Sequence, residues 1–369
     1  MLEYAEAGPA DEAELRRLLR DNPMPGLVSL SFEREPDYFR ASGLEGDVHQ
    51  TFLAREPATG QVVGMASRAV RTAFLDGVPS RLGYLGQARI DPAWRGRGLV
   101  SAGYARLRAA HDAQPVDFYV TTIIADNALA RAAFEKERPH KPSYLRCGLL
   151  TTLLLLPPGR RVAPPPAGVA LRPARREDLP ALADLLQAEY ARFQAAPVWT
   201  AADLGDPARC PGLRPEDVLL AWRGERLVGS LALWDQSALK QTVVRGYGRS
   251  LAVLRPLYNG AASLTRLPRL PAVGAPLPHA FLALLAVAAD DPAVARALIA
   301  AQLGEAGRRG LAWAALGLCA GHPLLRFASR CFRHFAYHSF VYYACWPAGR
   351  PAVARLDPRR PLHLELAVL

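Results

Sequence analysis

The order of predicted elements points to an α+β protein built as two tandem units, and three observations carry that expectation. Residues 1–156 read as strand, two helices, three strands, helix, strand, helix, strand. The proline-rich stretch Pro157-Pro-Gly-Arg-Arg-Val-Ala-Pro-Pro-Pro-Ala-Gly168 then suits a stiff linker, residues 157–168. After it, residues 169–369 begin again with a strand and an acidic-led amphipathic helix, which suggests an internal repeat on the scale of a domain.

In the first unit, Leu2 to Ala5 suit a short strand. Asp11-Glu-Ala-Glu-Leu-Arg-Arg-Leu-Leu-Arg has helical apolar spacing, with acids leading and arginines trailing as the helix dipole favours. Pro23, Pro25 and Gly26 end that helix, and Glu35 to Ala41 suit a second one. Val48–Ala54 and Val62–Ala73 read as a hairpin closed by Pro57-Ala-Thr-Gly60. Tyr84 to Ile90 form the third strand of the series. Leu99 to Ala110 are helical, Val116 to Ile124 form a β-branched buried strand, and Asn127 caps a helix over Ala128 to Lys136. Tyr144 to Leu156 close the unit.

In the second unit, Asp217–Trp222 and Leu227–Leu233 make another hairpin. Phe281–Val287, Leu311–Leu318, Phe335–Cys345 and His363–Leu369 are expected strands, the last free to cross to the first unit. Arg245 to Arg269 hold five arginines and no acid, interleaved with Tyr247 and Tyr258. Gly246, Gly248 and Pro256 argue against one long helix there.

Composition narrows the class of protein. At 369 residues the chain exceeds a single core of about 150 residues. Its formal charge is +11, carried almost wholly by arginine, which favours an anionic partner without choosing one. Five scattered cysteines with no Cys-x-x-Cys pair argue against both a disulfide framework and a zinc site, and no metal is expected. The N-terminus lacks a leader pattern, and the apolar runs fall short of the roughly 20 residues that cross a bilayer. A cytoplasmic protein with no membrane partner is expected.

The stretch with the most chemistry is Tyr84-Leu-Gly-Gln-Ala-Arg-Ile-Asp-Pro-Ala-Trp-Arg-Gly-Arg-Gly-Leu-Val-Ser101. An apolar strand runs into a glycine-arginine turn and then a helix. A helix start leaves amide N–H groups without intrahelical partners and carries partial positive charge, so bare glycines there favour a diphosphate. Arg95 and Arg97 add full charge. The turn has neither the Gly-Lys-Ser/Thr of a P-loop nor the Gly-x-Gly-x-x-Gly of a dinucleotide fold.

It resembles the acyl-CoA motif of the GNAT superfamily of N-acyltransferases, Gln/Arg-x-x-Gly-x-Gly/Ala at a strand-to-helix junction. Arg95, Gly98 and Val100 stand at its defined positions, Val100 departing where Gly or Ala is usual. Asn127, Ala130 and Phe134 are similar to the family's second motif, Asn-x-x-Ala-x-x-x-Tyr, with Phe in place of Tyr. The resemblance implies two tandem GNAT-like domains, each a mixed, mostly antiparallel sheet flanked by helices, the first binding acetyl-CoA and the second degenerate.

It also implies direct attack of an amine on the thioester. Main-chain groups of Ala88, Arg89 and Ile90 would hold the pantetheine arm and acyl carbonyl. The amides of Arg95, Gly96, Arg97, Gly98, Leu99, Val100 and Ser101 would hold the diphosphate, with Asn127 and Phe134 at the second motif. Phe134 has no hydroxyl to protonate the leaving thiolate. Glu33 or Glu35 would take the amine proton. In the second unit, Asp290 and Asp291 stand where a diphosphate would sit and would repel it. The acceptor is a small-molecule or protein amine, and a homo-oligomer is compatible. The alternatives are a non-catalytic acyl-CoA-binding regulatory module and a tRNA-dependent aminoacyl transferase. The intact turn argues against the second and against a nucleic-acid partner.

Overall fold

The computed structural model describes residues 2–137, 140–158, 164–265 and 267–369. Positions 159–163 of the expected linker and Arg266 of the basic segment lie outside the described residues. The first half runs β1 (Glu3–Glu6), α1 (Glu12–Arg20), β2 (Val28–Glu33), α2 (Tyr38–Ser42), β3 (Val48–Arg55), β4 (Val62–Leu75), β5 (Val78–Ile90), α3 (Leu99–Ala113), β6 (Tyr119–Ile124), α4 (Ala128–Glu135) and β7 (Ser143–Leu155). The second runs β8 (Ala170–Pro173), α5 (Leu179–Tyr190), α6 (Ala201–Gly205), β9 (Val218–Arg223), β10 (Arg226–Trp234), β11 (Gln241–Tyr247), α7 (Arg249–Thr265), β12 (His279–Val287), α8 (Pro292–Arg308), β13 (Trp313–Cys319), α9 (Leu325–Cys331), β14 (His334–Cys345) and α10 (Arg350–Arg355).

Twelve strands form one mixed sheet in the order β1-β3-β4-β5-β6-β14-β7-β13-β12-β10-β9-β8, flanked by helices as expected of an α+β fold. Its pairs are antiparallel except β5–β6 and β12–β13. β14 inserts between β6 and β7, pairing with β7 from His334↔Leu155 to Cys345↔Ser143. The two halves therefore share one hydrogen-bonded sheet, and it is β14 that crosses. His363–Leu369, expected as a strand, instead ends in a single helical turn, Leu366–Val368, with Leu364, Ala367 and Val368 buried. Alternating apolar residues specify a buried extended run, not the partner it meets.

Two further expectations are corrected. β2 was not foreseen: it pairs with β11 in a two-stranded ribbon, from Val28↔Tyr247 to Glu33↔Gln241, across more than 200 residues of chain. Within the basic segment Arg245 lies in β11, as its glycines allow, but Arg249–Thr265 form one helix, α7, which runs through Pro256. The loop that follows holds it in place: Asn259 exchanges hydrogen bonds with Leu270 in both directions, and Tyr258 Oη donates to Pro268 O at 3.2 Å.

α1 forms where Leu15, Leu18 and Leu19 recur on one face, and all three pack against Tyr38, Leu53, Val62 and Met65. Burying each leucine contributes about 2 kcal/mol. α3 covers the opposite face of the first half through Tyr104 and Leu107, against Leu85 and Tyr119. Among the described residues no helix is long and apolar enough to cross a membrane.

Candidate active site

β5 carries the central irregularity. Gly86 faces Ser67 and Arg89 faces Met65, so Gln87 and Ala88 together oppose one residue of β4. Gln87 takes a φ of 51° to make this bulge. On its other edge β5 pairs with β6 at Gly83↔Tyr119 and Tyr84↔Val120, and Thr121 Oγ1 then donates to Leu85 O at 2.7 Å. No further β5–β6 pair follows, while on its other edge β6 pairs with β14 along its whole length, from Tyr119↔Ala344 to Ile124↔Ser339. The two strands thus part where the bulge begins, and the main chain of Ala88, Arg89 and Ile90 lies along the opening.

The chain then makes a one-turn helix, Pro92–Trp94, capped by Asp91, whose Oδ1 accepts from Ala93 N at 3.0 Å. Gly96 and Gly98 follow with φ of 78° and 82°, left-handed values that glycine adopts without strain. A Cβ at either position would touch nothing within 4 Å, so the glycines serve the turn and not a close approach. Gly98 is the N-cap of α3 and supplies no side chain to its first amides. Leu99 anchors the helix start against Ala54 and Val63, while Arg95, Gly96, Arg97 and Gly98 are exposed. Arg97 stacks over Trp94 at 4.9 Å, and Arg95 reaches Asn22 Oδ1 at 3.3 Å. Val100 and Ser101, both half-buried, lie in the first turn. This arrangement can hold an anion.

Asn127 caps α4 by accepting from Ala130 N at 3.0 Å. Phe134 packs on Tyr144 of β7 with ring centroids 5.3 Å apart, and the Tyr144 and Tyr104 hydroxyls lie 2.8 Å apart. A hydroxyl pair therefore sits beside the phenylalanine that lacks one. Burial, with Tyr104 adding to it, pushes the Tyr144 hydroxyl well above its ordinary value. The sequence reading missed Tyr144 because its strand joins α3 and α4 only through tertiary packing.

The two expected carboxylates are both held by guanidinium groups. Glu33 is not in a loop: it ends β2, buried, and accepts from Ser31 and from Arg245 Nε at 3.0 Å. Glu35 is ion-paired with Arg16 and keeps partial exposure. The carboxylate that reaches the bulge is Glu45, which accepts from Gln87 Nε2 and Ser67 Oγ at 3.3 Å each and pairs with Arg34. Burial alone would raise the Glu45 carboxyl, but Arg34 and His49 hold it well below its ordinary value. On the same face, burial and then Glu45 push the Tyr84 hydroxyl up to about 12. Glu45 sits in Leu44-Glu45-Gly46, and no local pattern distinguishes it.

The second half repeats the geometry with different contents. β12 and β13 pair in parallel only from His279↔Trp313 to Phe281↔Ala315, and Leu284 in β12 takes a φ of 55°. There the Leu284 amide donates to Glu365 at 2.9 Å, and Leu366 packs on Gly317 of β13. At the start of α8, Asp291 accepts from the amides of Ala293 and Val294 at 2.9 and 3.4 Å. Asp290 pairs with Arg192.

No protein-family model matches the chain, and no curated protein matches its sequence. Solved structures do match its architecture. A GCN5-related glucosamine N-acetyltransferase region of a fungal multi-domain GH3 β-N-acetylglucosaminidase superposes with TM-score 0.61 at 13% identity, over 93% of this chain. This chain spans 38% of that protein's length. A GCN5-related N-acetyltransferase from Sphaerobacter thermophilus matches at TM-score 0.57 and 15% identity, over 94% of this chain and 96% of that one. The N-myristoyltransferase of Saccharomyces cerevisiae, solved with bound myristoyl-CoA, gives 0.59 and 12%, over 93% and 82%. With its sheet parting at the β5 bulge and a glycine turn opening α3, the chain has the fold of the GCN5-related N-acetyltransferases.

Proposed function

We propose that the chain is an N-acyltransferase that moves an acetyl group from acetyl-CoA to a primary amine by direct attack on the thioester. The observation that carries this is the side-by-side placement of a parting strand pair and a helix start free of side-chain caps. The amides from Arg95 to Ser101, with the Arg95 and Arg97 guanidinium groups, would take the diphosphate, and the main chain from Ala88 to Ile90 the pantetheine and acyl carbonyl. Asn127 and Phe134 would lie at the same cofactor's side in this reading. Holding both substrates in line is the largest contribution such a site makes.

The amine nitrogen attacks the carbonyl carbon, the C–S bond breaks, and the thiolate takes a proton. In this reading the Tyr104–Tyr144 pair supplies that proton, in place of the hydroxyl that Phe134 lacks. Both carboxylates are paired, Glu33 with Arg245 and Glu35 with Arg16, but Glu33 is buried, so taking the amine proton through water falls to the partly exposed Glu35. Residues 169–369 act as a degenerate copy that shapes the acceptor side.

The test is thiol release from acetyl-CoA across a panel of amines, alongside calorimetry of CoA binding. Binding with turnover on at least one amine supports the enzyme. Tight binding with no turnover on any amine favours an acyl-CoA sensor, and no binding sinks both.

A further inference from the structure

The face of β4 and β5 turned away from α3 carries more positive charge than its own carboxylates offset. Arg34, Arg71 of β4, Arg89 of β5 and Lys240, just before β11, surround Tyr84 and Glu45 closely enough to act on one another electrostatically. Glu45 is spent on Arg34, His49, Ser67 and Gln87.

The other three cations make contacts to main-chain oxygens. Arg71 Nη2 donates to Val368 O at 2.5 Å, and Arg89 Nη1 to Ala88 O at 2.9 Å. Lys240 Nζ donates to Leu369 O at 2.9 Å and Ala367 O at 3.3 Å. The Arg89 Nε is buried with no hydrogen-bond partner.

Neighbouring acids are engaged elsewhere: Glu33 with Arg245, Glu35 with Arg16, Asp47 with Arg209, and Glu365 with Leu284 N and Tyr190 Oη. A negative charge on Leu369 would offset Lys240 alone. Burial pushes Arg71 and Arg89 below their ordinary values and Lys240 down to about 7, as happens when desolvated cations lack a matching anion. A buried guanidinium N–H without an acceptor, as at Arg89 Nε, is costly, and a carboxylate received in two parallel hydrogen bonds relieves that cost.

We infer that this cluster binds a carboxylate carried by the acceptor, so that the acceptor is an amino-acid-like amine and not a polycationic one. The inference rests on the N-acyltransferase reading, and its test separates the two. With acetyl-CoA and the full chain, thiol release is compared for L-phenylalanine against phenethylamine and for L-lysine against cadaverine. The carboxylate-bearing member of each pair should show kcat/KM at least about tenfold higher, because a site built around a charged partner rejects analogues that lack it. Arg71→Gln and Arg89→Gln should each bring the ratio within about twofold, with acetyl-CoA affinity retained in Arg71→Gln.

Preference of the wild type for phenethylamine and cadaverine overturns the inference. Calorimetry with N-acetyl-L-phenylalanine and N-phenethylacetamide reads the same site without turnover, so absence of catalysis sinks the enzyme reading alone. Stronger binding of the carboxylate, lost in Arg89→Gln, supports the inference, and equal binding of the two probes overturns it. If Arg71→Gln does not fold, Arg71→Lys, which keeps the charge but not the fork, takes its place.

Discussion

The openings beside β5 and β12 are built alike and used differently. Each follows a parallel strand pair that separates at a residue with positive φ, Gln87 in one half and Leu284 in the other. In the second half the chain itself fills the opening: Glu365 accepts the Leu284 amide, Leu366 packs on Gly317, and Asp291 caps α8. In the first half α3 begins at a glycine with no capping side chain, and Ala88 is exposed. The same main-chain geometry can thus serve as a ligand cradle or as a structural socket, and a few polar side chains decide which.

The largest effect should come from giving the first turn the chemistry of the second. Gly98→Asp places a carboxylate at the N-cap of α3, where it takes the amides and repels a diphosphate. Acetyl-CoA affinity should fall on the order of 100-fold by calorimetry. An unchanged affinity would break the comparison. Asp291→Gly should confer no second CoA site, because Glu365 and Leu366 stay in place.

A smaller effect tests the hydroxyl pair. Tyr144→Phe should lower kcat about tenfold while leaving acetyl-CoA affinity within about twofold, since solvent replaces a lost proton donor only in part. Equal losses in kcat and in affinity would mark Tyr144 as packing alone.

Glu365 sharpens the contrast through pH. Burial raises its carboxyl above the ordinary value, against the pull of Leu284 N and Tyr190 Oη. The folded state therefore holds that proton more tightly than the unfolded state. Stability should fall as pH rises from the ordinary carboxylate range through the raised value. Glu365→Gln, which keeps an acceptor oxygen, should flatten that decline in Tm, and parallel curves for wild type and variant would refute it.

The smallest effect lies beside Glu365, where burial depresses His322 to about 4 and His363 to about 3. Here the unfolded state binds protons first, so stability should fall as pH drops from 6.5 towards 4. His322 stacks on Phe193 at 4.9 Å, and His322→Phe should remove part of that slope, a few degrees in Tm.

Much of this was legible locally. The Asn127 cap, the α3 start and the Asp291 cap are interactions within three residues, and their side chains announce them. The hairpins β3–β4 and β9–β10 follow from alternation and a turn. What could not be read were contacts between distant segments: β2 with β11, β14 beside β6, Tyr144 beneath Phe134, and Glu45 behind Gln87. Strand periodicity says which face is buried and is silent on the neighbour. Pro256 misled for a related reason, since its cost to the helix is local while the contacts that hold α7 come from residues 268–270.

By itself, then, the amino-acid sequence determined the class of most elements, the glycine-arginine turn that frees the first amides of α3, and the acidic turn that closes α8. These depend on spacing and chemistry within a few residues. Only the tertiary structure decided that the β5 opening lies beside a hydroxyl pair and a surplus of cations while the β12 opening is filled by residues 365 and 366. Burial and charge balance are sums over segments far apart in the chain, and they exist only once those segments have packed.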